Sequence, residues 1–176
     1  ALKKYKQAWL RNCPDNYNKW LEDKNSKASV SATYPHDIAK LFDNTGYPYD
    51  DAMIAEEDKL LAQKMWEGLP NYLTDKERPI IMSDTSGSME VNYGDLVDPM
   101  AISVSLGIYC SERMSGPFKD KIMTFSDDPE FHDLSPYSTI SDKWEYLYGN
   151  GKWSMTTNFV AAYRLLLTSA KMWNVK

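Results

Sequence analysis

Residues 79–89 read Pro-Ile-Ile-Met-Ser-Asp-Thr-Ser-Gly-Ser-Met, and this stretch decides the fold class of the chain. Its first five residues form a short, continuous apolar run, the pattern of a parallel strand that is buried on both faces. The turn that follows carries a carboxylate and two hydroxyls on alternate residues, at Asp84, Ser86 and Ser88. Because ligands of open α/β sheets bind at the carboxyl ends of the strands, this turn is the candidate functional site.

The residues after this turn alternate between helical and strand patterns. Pro99 can occupy the first position of a helix that Asp98 caps. Residues 121–125 predict a second strand, and residues 130–134 alternate like a third strand that pairs antiparallel with it. A last helix, residues 159–170, carries six apolar residues on one face. Strands and helices in this order predict an α/β fold.

The residues before the turn show only helical patterns. An apolar stripe at helical spacing begins at Leu2 and ends at Pro14. Pro35 can begin another helix, and Asp50 or Asp51 can cap a third. This part of the chain is therefore predicted to be all-helical.

Composition and charge narrow the class of protein. The 176 residues carry a net charge of −5, but seven basic and three acidic side chains within residues 1–27 give that segment about +4 and leave about −9 for the rest. Two cysteines argue against a disulfide framework or a four-ligand zinc site. The chain lacks a stretch of roughly 18 apolar residues and a secretory signal, so we expect a cytoplasmic protein without a membrane span. The first residue is Ala rather than Met, and we expect a longer protein of which this is a part.

The residue types of the Asp84 turn suit a hard divalent cation. Magnesium prefers oxygen ligands in an octahedron and retains several waters. Alternate oxygen side chains on a tight turn can converge on one such ion. Two of the three ligands are neutral hydroxyls, so the ion keeps most of its positive charge and can attract a carboxylate from a partner. This chemistry predicts a site that binds a partner protein through a carboxylate of the partner.

The pattern Asp-x-Ser-x-Ser after a buried strand resembles the metal-ion-dependent adhesion site of von Willebrand factor A (vWA) domains. The resemblance implies that a threonine from a second loop completes the site, and we assign this role to Thr157, with Thr156 as the alternative. It implies a bound Mg²⁺ or Mn²⁺, with Ser86, Ser88 and Thr157 as direct ligands and Asp84 binding directly or through water.

A wider resemblance covers most of the chain. Five stretches are similar, in order, to the landmarks of an uncharacterised family akin to TROVE/Ro proteins: residues 34–38, 63–66, 84–89, 121–126 and 157–159. Those proteins join a helical region to a vWA-like domain. The resemblance implies a helical region over residues 1–75 and the first part of a vWA-like, Rossmann-like parallel sheet with helices over residues 76–176.

Two features depart from the vWA pattern. Such domains normally supply another aspartate from the loop after the next central strand, and the sequence ends before that strand. We therefore expect a sheet that is incomplete at its C-terminus, whose apolar edge is covered by more of a longer protein or by another chain of a larger assembly. The second departure is Asn158, where relatives commonly have an acidic residue.

The Asp84 turn lacks residues that known types of catalytic site require. A haloacid-dehalogenase nucleophile needs a second carboxylate where Ser86 stands, and a serine nucleophile elbow needs glycines where Asp84 and Ser88 stand. A phosphate-binding loop is also absent from the sequence. We expect no enzymatic activity. The simplest alternative is a turn whose Asp and Ser side chains only bind backbone amides.

The sequence thus predicts a metal-dependent protein-binding or scaffold module that captures an acidic residue of a partner protein. The alternative is a Ro-like RNA-binding protein, because such relatives bind small RNAs through their helical portion. The residues that would contact RNA lie on the basic first helix: Lys3, Lys4, Lys6 and Arg11. One such helix neutralises few phosphates, so its affinity for RNA would be low and would fall steeply with salt.

Overall fold

A computed structural model of the protein describes residues 2–30, 32–39, 41, 55–74, 79–89, 99–125, 127–150 and 158–175. Within these ranges the helices are α1 (Leu2–Asn12), α2 (Pro14–Glu22), α3 (Pro35–Ala39), α4 (Glu56–Gly68), α5 (Pro99–Arg113), α6 (Ile140–Asn150) and α7 (Phe159–Met172). The strands are β1 (Met82–Asp84), β2 (Lys121–Phe125) and β3 (Phe131–Asp133), and a 3₁₀ helix spans Gly87–Met89. The predicted α/β fold class is confirmed.

The three strands form one sheet in the order β1-β2-β3. β1 pairs parallel with β2, which places Ser83 opposite Thr124 and Asp84 opposite Phe125. β2 pairs antiparallel with β3, as the sequence predicted. β1 is shorter than predicted, although the carbonyl of Ile81 still accepts a hydrogen bond of 2.9 Å from the amide of Met123.

Helix α5 packs closely on one face of the sheet. An ideal Cβ at Gly107 would lie 2.5 Å from Ser83 Oγ and 3.4 Å from Ile122 Cδ1, so a residue without a side chain permits this approach. Ile122 and Thr124, two residues apart on β2, face the same side and are buried. Helix α6 reaches this layer through Leu147.

Helix α7 lies on the opposite face. The ring of Phe125 is 4.7 Å from that of Phe159, which begins α7, and the ring of Phe131 is 5.2 Å from that of Trp173. Aromatic contacts from β2 and β3 thus fix both ends of this helix.

The apolar stripe predicted for α7 is only partly buried. Phe159, Tyr163 and Leu167 are 60–63% exposed. Ala162 and Ser169 are the buried residues of the helix. The helix is rotated so that its small side chains face inward and its larger apolar residues lie on its flank.

The helical region shares its core with the α/β part. Buried side chains of α2, α3 and α4, including Tyr17, Ile38 and Trp66, belong to the same apolar cluster as Ile108 on α5 and Leu147 on α6. In sequence the two parts are separate, but in space they are stabilised by one continuous hydrophobic core.

A polar cluster at Glu112 also joins the two parts. Its carboxylate accepts hydrogen bonds of 2.7 Å from Trp66 Nε1 on α4 and of 2.6 Å from Lys143 Nζ on α6. The neighbouring Arg113 donates to the carbonyl of Trp66 at 2.9 Å, and its guanidinium lies 4.1 Å from the ring centroid of Tyr109. Ionic and cation–π contacts of this kind fix the relative orientation of α4, α5 and α6.

Helix α4 begins at Glu56, after Ala55 in an extended conformation. The predicted caps, Asp50 and Asp51, and Asp98, the predicted cap of α5, lie outside the described residues. Pro99 is the first residue of α5 that the structure describes. Of the helices that the structure describes, none has both the length and the apolar composition needed to cross a bilayer.

Candidate metal site

The Asp84 turn takes its shape from hydrogen bonds within itself. Asp84, the last residue of β1, accepts a 2.9 Å hydrogen bond at Oδ1 from the amide of Ser86. The amide of Met89 donates to the carbonyl of Ser86 at 2.9 Å and closes the 3₁₀ helix. The backbone therefore turns directly after the strand, as an aspartate two residues before a serine and a glycine favours.

The two serine hydroxyls of this turn converge. Ser86 Oγ and Ser88 Oγ are 3.0 Å apart, and either one can donate the hydrogen bond that joins them. Ser86 is buried, Asp84 is half-buried and Ser88 is exposed. The oxygen cluster thus opens to solvent on the side of Ser88.

Three of the four predicted metal ligands are therefore close together. The fourth, Thr157, and its alternative Thr156 lie outside the described residues. The first described residue after them, Asn158, caps α7 by accepting a 3.0 Å hydrogen bond from the amide of Ala161. Asn158 is therefore the N-cap of α7.

The chain enters α7 near the same edge of the sheet. Asp84 lies opposite Phe125 in the parallel register, and the ring of Phe125 contacts the ring of Phe159. Phe159, the first residue of α7, is therefore held beside the carboxyl end of β2.

The donor set of the turn is suited to a hard cation. Among the described residues, His, Cys, Asp and Glu side chains form no group of three that could hold a metal ion. A cation at the Asp84 turn would accordingly be bound by one carboxylate and neutral hydroxyls, and this oxygen set fits Mg²⁺ or Mn²⁺ better than it fits zinc.

Thr85 lies between two of the predicted ligands, Asp84 and Ser86, and the sequence interpretation did not single it out. Its side chain is 2% exposed, and its Oγ1 has no hydrogen-bond partner within the described structure. The signal was available, because strand alternation places Thr85 on the same inward face as Ser83.

Comparison with known proteins identifies the part of the chain that carries this site. Residues 78–176, more than half of the chain, match a family described as a domain of unknown function, DUF7788. The chain belongs to this family. The DUF7788 residues include the Asp84 turn, all three strands and α5–α7, whereas α1–α4 precede them.

A viral protein resembles more of the chain. An uncharacterized protein of Acanthamoeba polyphaga mimivirus is 24% identical over 165 residues, which cover 90% of this chain and 26% of that protein. The chain thus spans about a quarter of the length of this relative. No solved structure matches the chain.

The predicted RNA-binding residues lie outside the DUF7788 region, on α1. Lys6 contacts two acids of α4: its Nζ lies 2.5 Å from Asp58 Oδ1 and 3.3 Å from Glu57 Oε1. Burial by itself would lower the pKa of Lys6, but the hydrogen bonds and charges of these two carboxylates outweigh it and raise the pKa. Lys6 therefore holds α1 against α4.

Arg11 is the other predicted RNA-binding residue whose side chain the structure describes. Arg11 is exposed, and the side chains of Lys3 and Lys4 lie outside the described structure. Trp9, the aromatic residue between them, contacts the rings of Tyr17 and Trp20 at 5.5 and 5.3 Å. The aromatic ring thus serves packing within the helical region.

Proposed function

We propose that the DUF7788 region is a vWA-like domain whose Asp84 turn binds Mg²⁺ or Mn²⁺ and captures a carboxylate of a partner protein. One observation carries the proposal: the 3.0 Å separation of Ser86 Oγ and Ser88 Oγ beside Asp84. Adjacent ligands of an octahedral ion with bonds of about 2.1 Å are separated by roughly 3.0 Å. The two hydroxyls are therefore already spaced as neighbouring ligands, and an ion would replace the hydrogen bond between them.

Asp84 supplies the negative charge of the site. Its Oδ1 is engaged by the Ser86 amide, and a carboxylate has lone pairs left to bind an ion directly or through water. A single carboxylate leaves a divalent cation with net positive charge. That residual charge is what attracts an acidic side chain of a partner.

Thr157 is the proposed fourth ligand. The contact of Phe125 with Phe159 supports this assignment, because it holds the start of α7 at the edge of the sheet where the turn lies. Asn158 caps the helix, so the hydroxyl of Thr157 is not needed for that role.

The sheet order supports the vWA-like fold. β1, α5 and the parallel β2 form one unit of the kind that builds a doubly wound sheet, with the antiparallel β3 at its edge, and in such sheets ligands bind where the strand order reverses. In the described residues no strand pairs with the outer edge of β1. Beside it, Met82, Ile102 and Leu106 are 37–49% exposed. We propose that further strands, from the same protein or from a partner in a larger assembly, cover this edge.

A manganese relaxation experiment tests the adhesion mechanism. Bound Mn²⁺ with open positions accelerates the relaxation of water protons, and a carboxylate that enters those positions displaces water and reduces the effect. We expect the protein to enhance relaxation with Mn²⁺ and acetate to reduce the enhancement. Asp84→Ala should abolish both the enhancement and its reduction by acetate, without altering the circular dichroism spectrum. Asp15→Ala changes an exposed aspartate on α2 and should retain both effects. If Mn²⁺ binds tightly but acetate does not reduce the relaxation enhancement, carboxylate capture is refuted.

A further inference from the structure

Helix α7 exposes an apolar stripe formed by four side chains. Phe159, Val160, Tyr163 and Leu167 are each 60–63% exposed. Tyr163 follows Phe159 by four residues and Val160 by three, and Leu167 follows Tyr163 by four, so the four side chains are neighbours on one face of the helix. Single exposed apolar residues are common on protein surfaces, but a contiguous apolar face usually marks a site of interaction.

Two cations border this stripe. Leu167 lies three residues after Arg164 and four residues before Lys171, so both basic side chains are its neighbours on the helix surface. Both are exposed, and α7 contains no acidic residue. Among the described residues, no ion pair engages either of them. The outer face of α7 therefore combines apolar surface with positive charge along one side.

This combination distinguishes the classes of partner that could cover the stripe. Two copies of this chain joined through α7 would bring the cations of both helices into one interface, and α7 has no acid to pair with them. An anionic membrane would attract the two cations but would repel the chain as a whole, whose net charge is −5. An amphipathic helix with acidic residues beside its apolar face matches both the stripe and the cations.

We propose that α7 is a docking surface for an acidic amphipathic helix of another protein. The apolar residues of that helix pack on the stripe, and its acidic residues pair with Arg164 and Lys171. These two cations are seven residues apart, so acids at the same spacing on the partner reach both of them. The surface includes none of the proposed metal ligands, and docking there does not require a metal ion.

Fluorescence anisotropy with a labelled synthetic helix tests the docking surface. The probe is a peptide of about 20 residues with leucines three and four residues apart and glutamates beside them. We expect the chain to bind it in excess EDTA, and we expect no binding of the same peptide with lysines in place of the glutamates. EDTA removes any contribution from a metal ion, so this result does not depend on the proposed function.

Substitutions on α7 show where the peptide binds. Leu167→Gln should weaken binding about tenfold or more, because it removes an apolar contact that docking buries. Leu60→Gln changes a leucine of α4 that is 41% exposed and should bind like the wild type. The double variant Arg164→Glu, Lys171→Glu should lose the glutamate peptide and bind the lysine peptide, with an unchanged circular dichroism spectrum. Arg11→Glu, an exposed change on α1, is its control.

Four results would overturn the proposal. No binding of the glutamate peptide would show that the stripe does not dock such a helix, and equal binding of both peptides would show that charge does not select the partner. A dimer in sedimentation analysis that Leu167→Gln dissociates would assign the stripe to a second copy of the chain. Binding to phosphatidylserine vesicles that the same substitution abolishes would assign it to a membrane surface.

Discussion

At the scale of single residues, the side chain of Asp84 serves the backbone and leaves capacity for a ligand. Its bond to the Ser86 amide confirms the simple turn that such a sequence predicts. That bond occupies one oxygen of the carboxylate and does not conflict with metal binding, because the group accepts several hydrogen bonds or ligands. A turn that only binds a backbone amide and a turn that also binds a metal ion are therefore compatible with the same geometry. The bound metal remains a prediction.

Gly107 is the residue on which the position of β1 under α5 depends. Gly107→Ala would place a methyl group 2.5 Å from Ser83 Oγ. Overpacking of this kind costs about 1–3 kcal/mol, which exceeds or cancels the gain of about 1 kcal/mol from replacing glycine within a helix. We expect a lower free energy of unfolding, measured by urea denaturation.

The double variant separates the steric effect from other causes. Ser83→Ala removes the hydroxyl oxygen that the introduced methyl group would meet, so Gly107→Ala should be tolerated, or should stabilise by up to about 1 kcal/mol, in that background. An equal loss of stability in both backgrounds would show that contact with Ser83 is not the reason for the glycine.

At the scale of elements, α1 packs against α2 and α4 within the helical region. Lys6 forms ion pairs with α4, and Trp9 packs on two rings of α2. The sequence alone could not separate a basic face that binds RNA from one that pairs with acids, because the acidic partners lie about fifty residues away on α4.

A salt titration with labelled RNA tests the alternative function at this scale. With Lys6 engaged by α4, we expect no binding of a short single-stranded RNA at physiological salt, measured by fluorescence anisotropy. Binding that falls steeply with salt, and that Arg11→Gln weakens while Asp15→Asn does not, would establish α1 as an RNA surface.

The strands and some helix starts could be predicted from local patterns. Pro35 begins α3, and β3 pairs antiparallel with β2, as the sequence predicted. The rotation of α7 could not be predicted, because its large apolar residues form a stripe whose burial depends on what lies beside the helix. The position of Thr124 opposite Ser83 could not be predicted either, because it depends on the register of β1 and β2, which is a long-range property of the fold.

At the scale of the whole molecule, Glu112 couples the helical region to the DUF7788 region. Glu112→Gln would leave Lys143 and Arg113 without their acidic partner in a half-buried place. We expect a loss of about 1–3 kcal/mol in the free energy of unfolding, with a single urea transition because the hydrophobic core is continuous. Glu145→Gln, an exposed change on α6, is the matched control. Two separate transitions in the wild type would contradict a shared core.

Titration calorimetry with Mg²⁺ is the measurement that decides whether the Asp84 turn is a metal site. We expect the wild type to bind one Mg²⁺ per chain. Ser88→Ala should weaken binding by about tenfold or more, since even groups beyond the direct ligands of metal sites contribute roughly 10–100-fold. Ser138→Ala, an exposed serine in the loop before α6, should bind like the wild type. Absence of heat with the wild type, or equal affinities for the wild type and Ser88→Ala, would contradict the account.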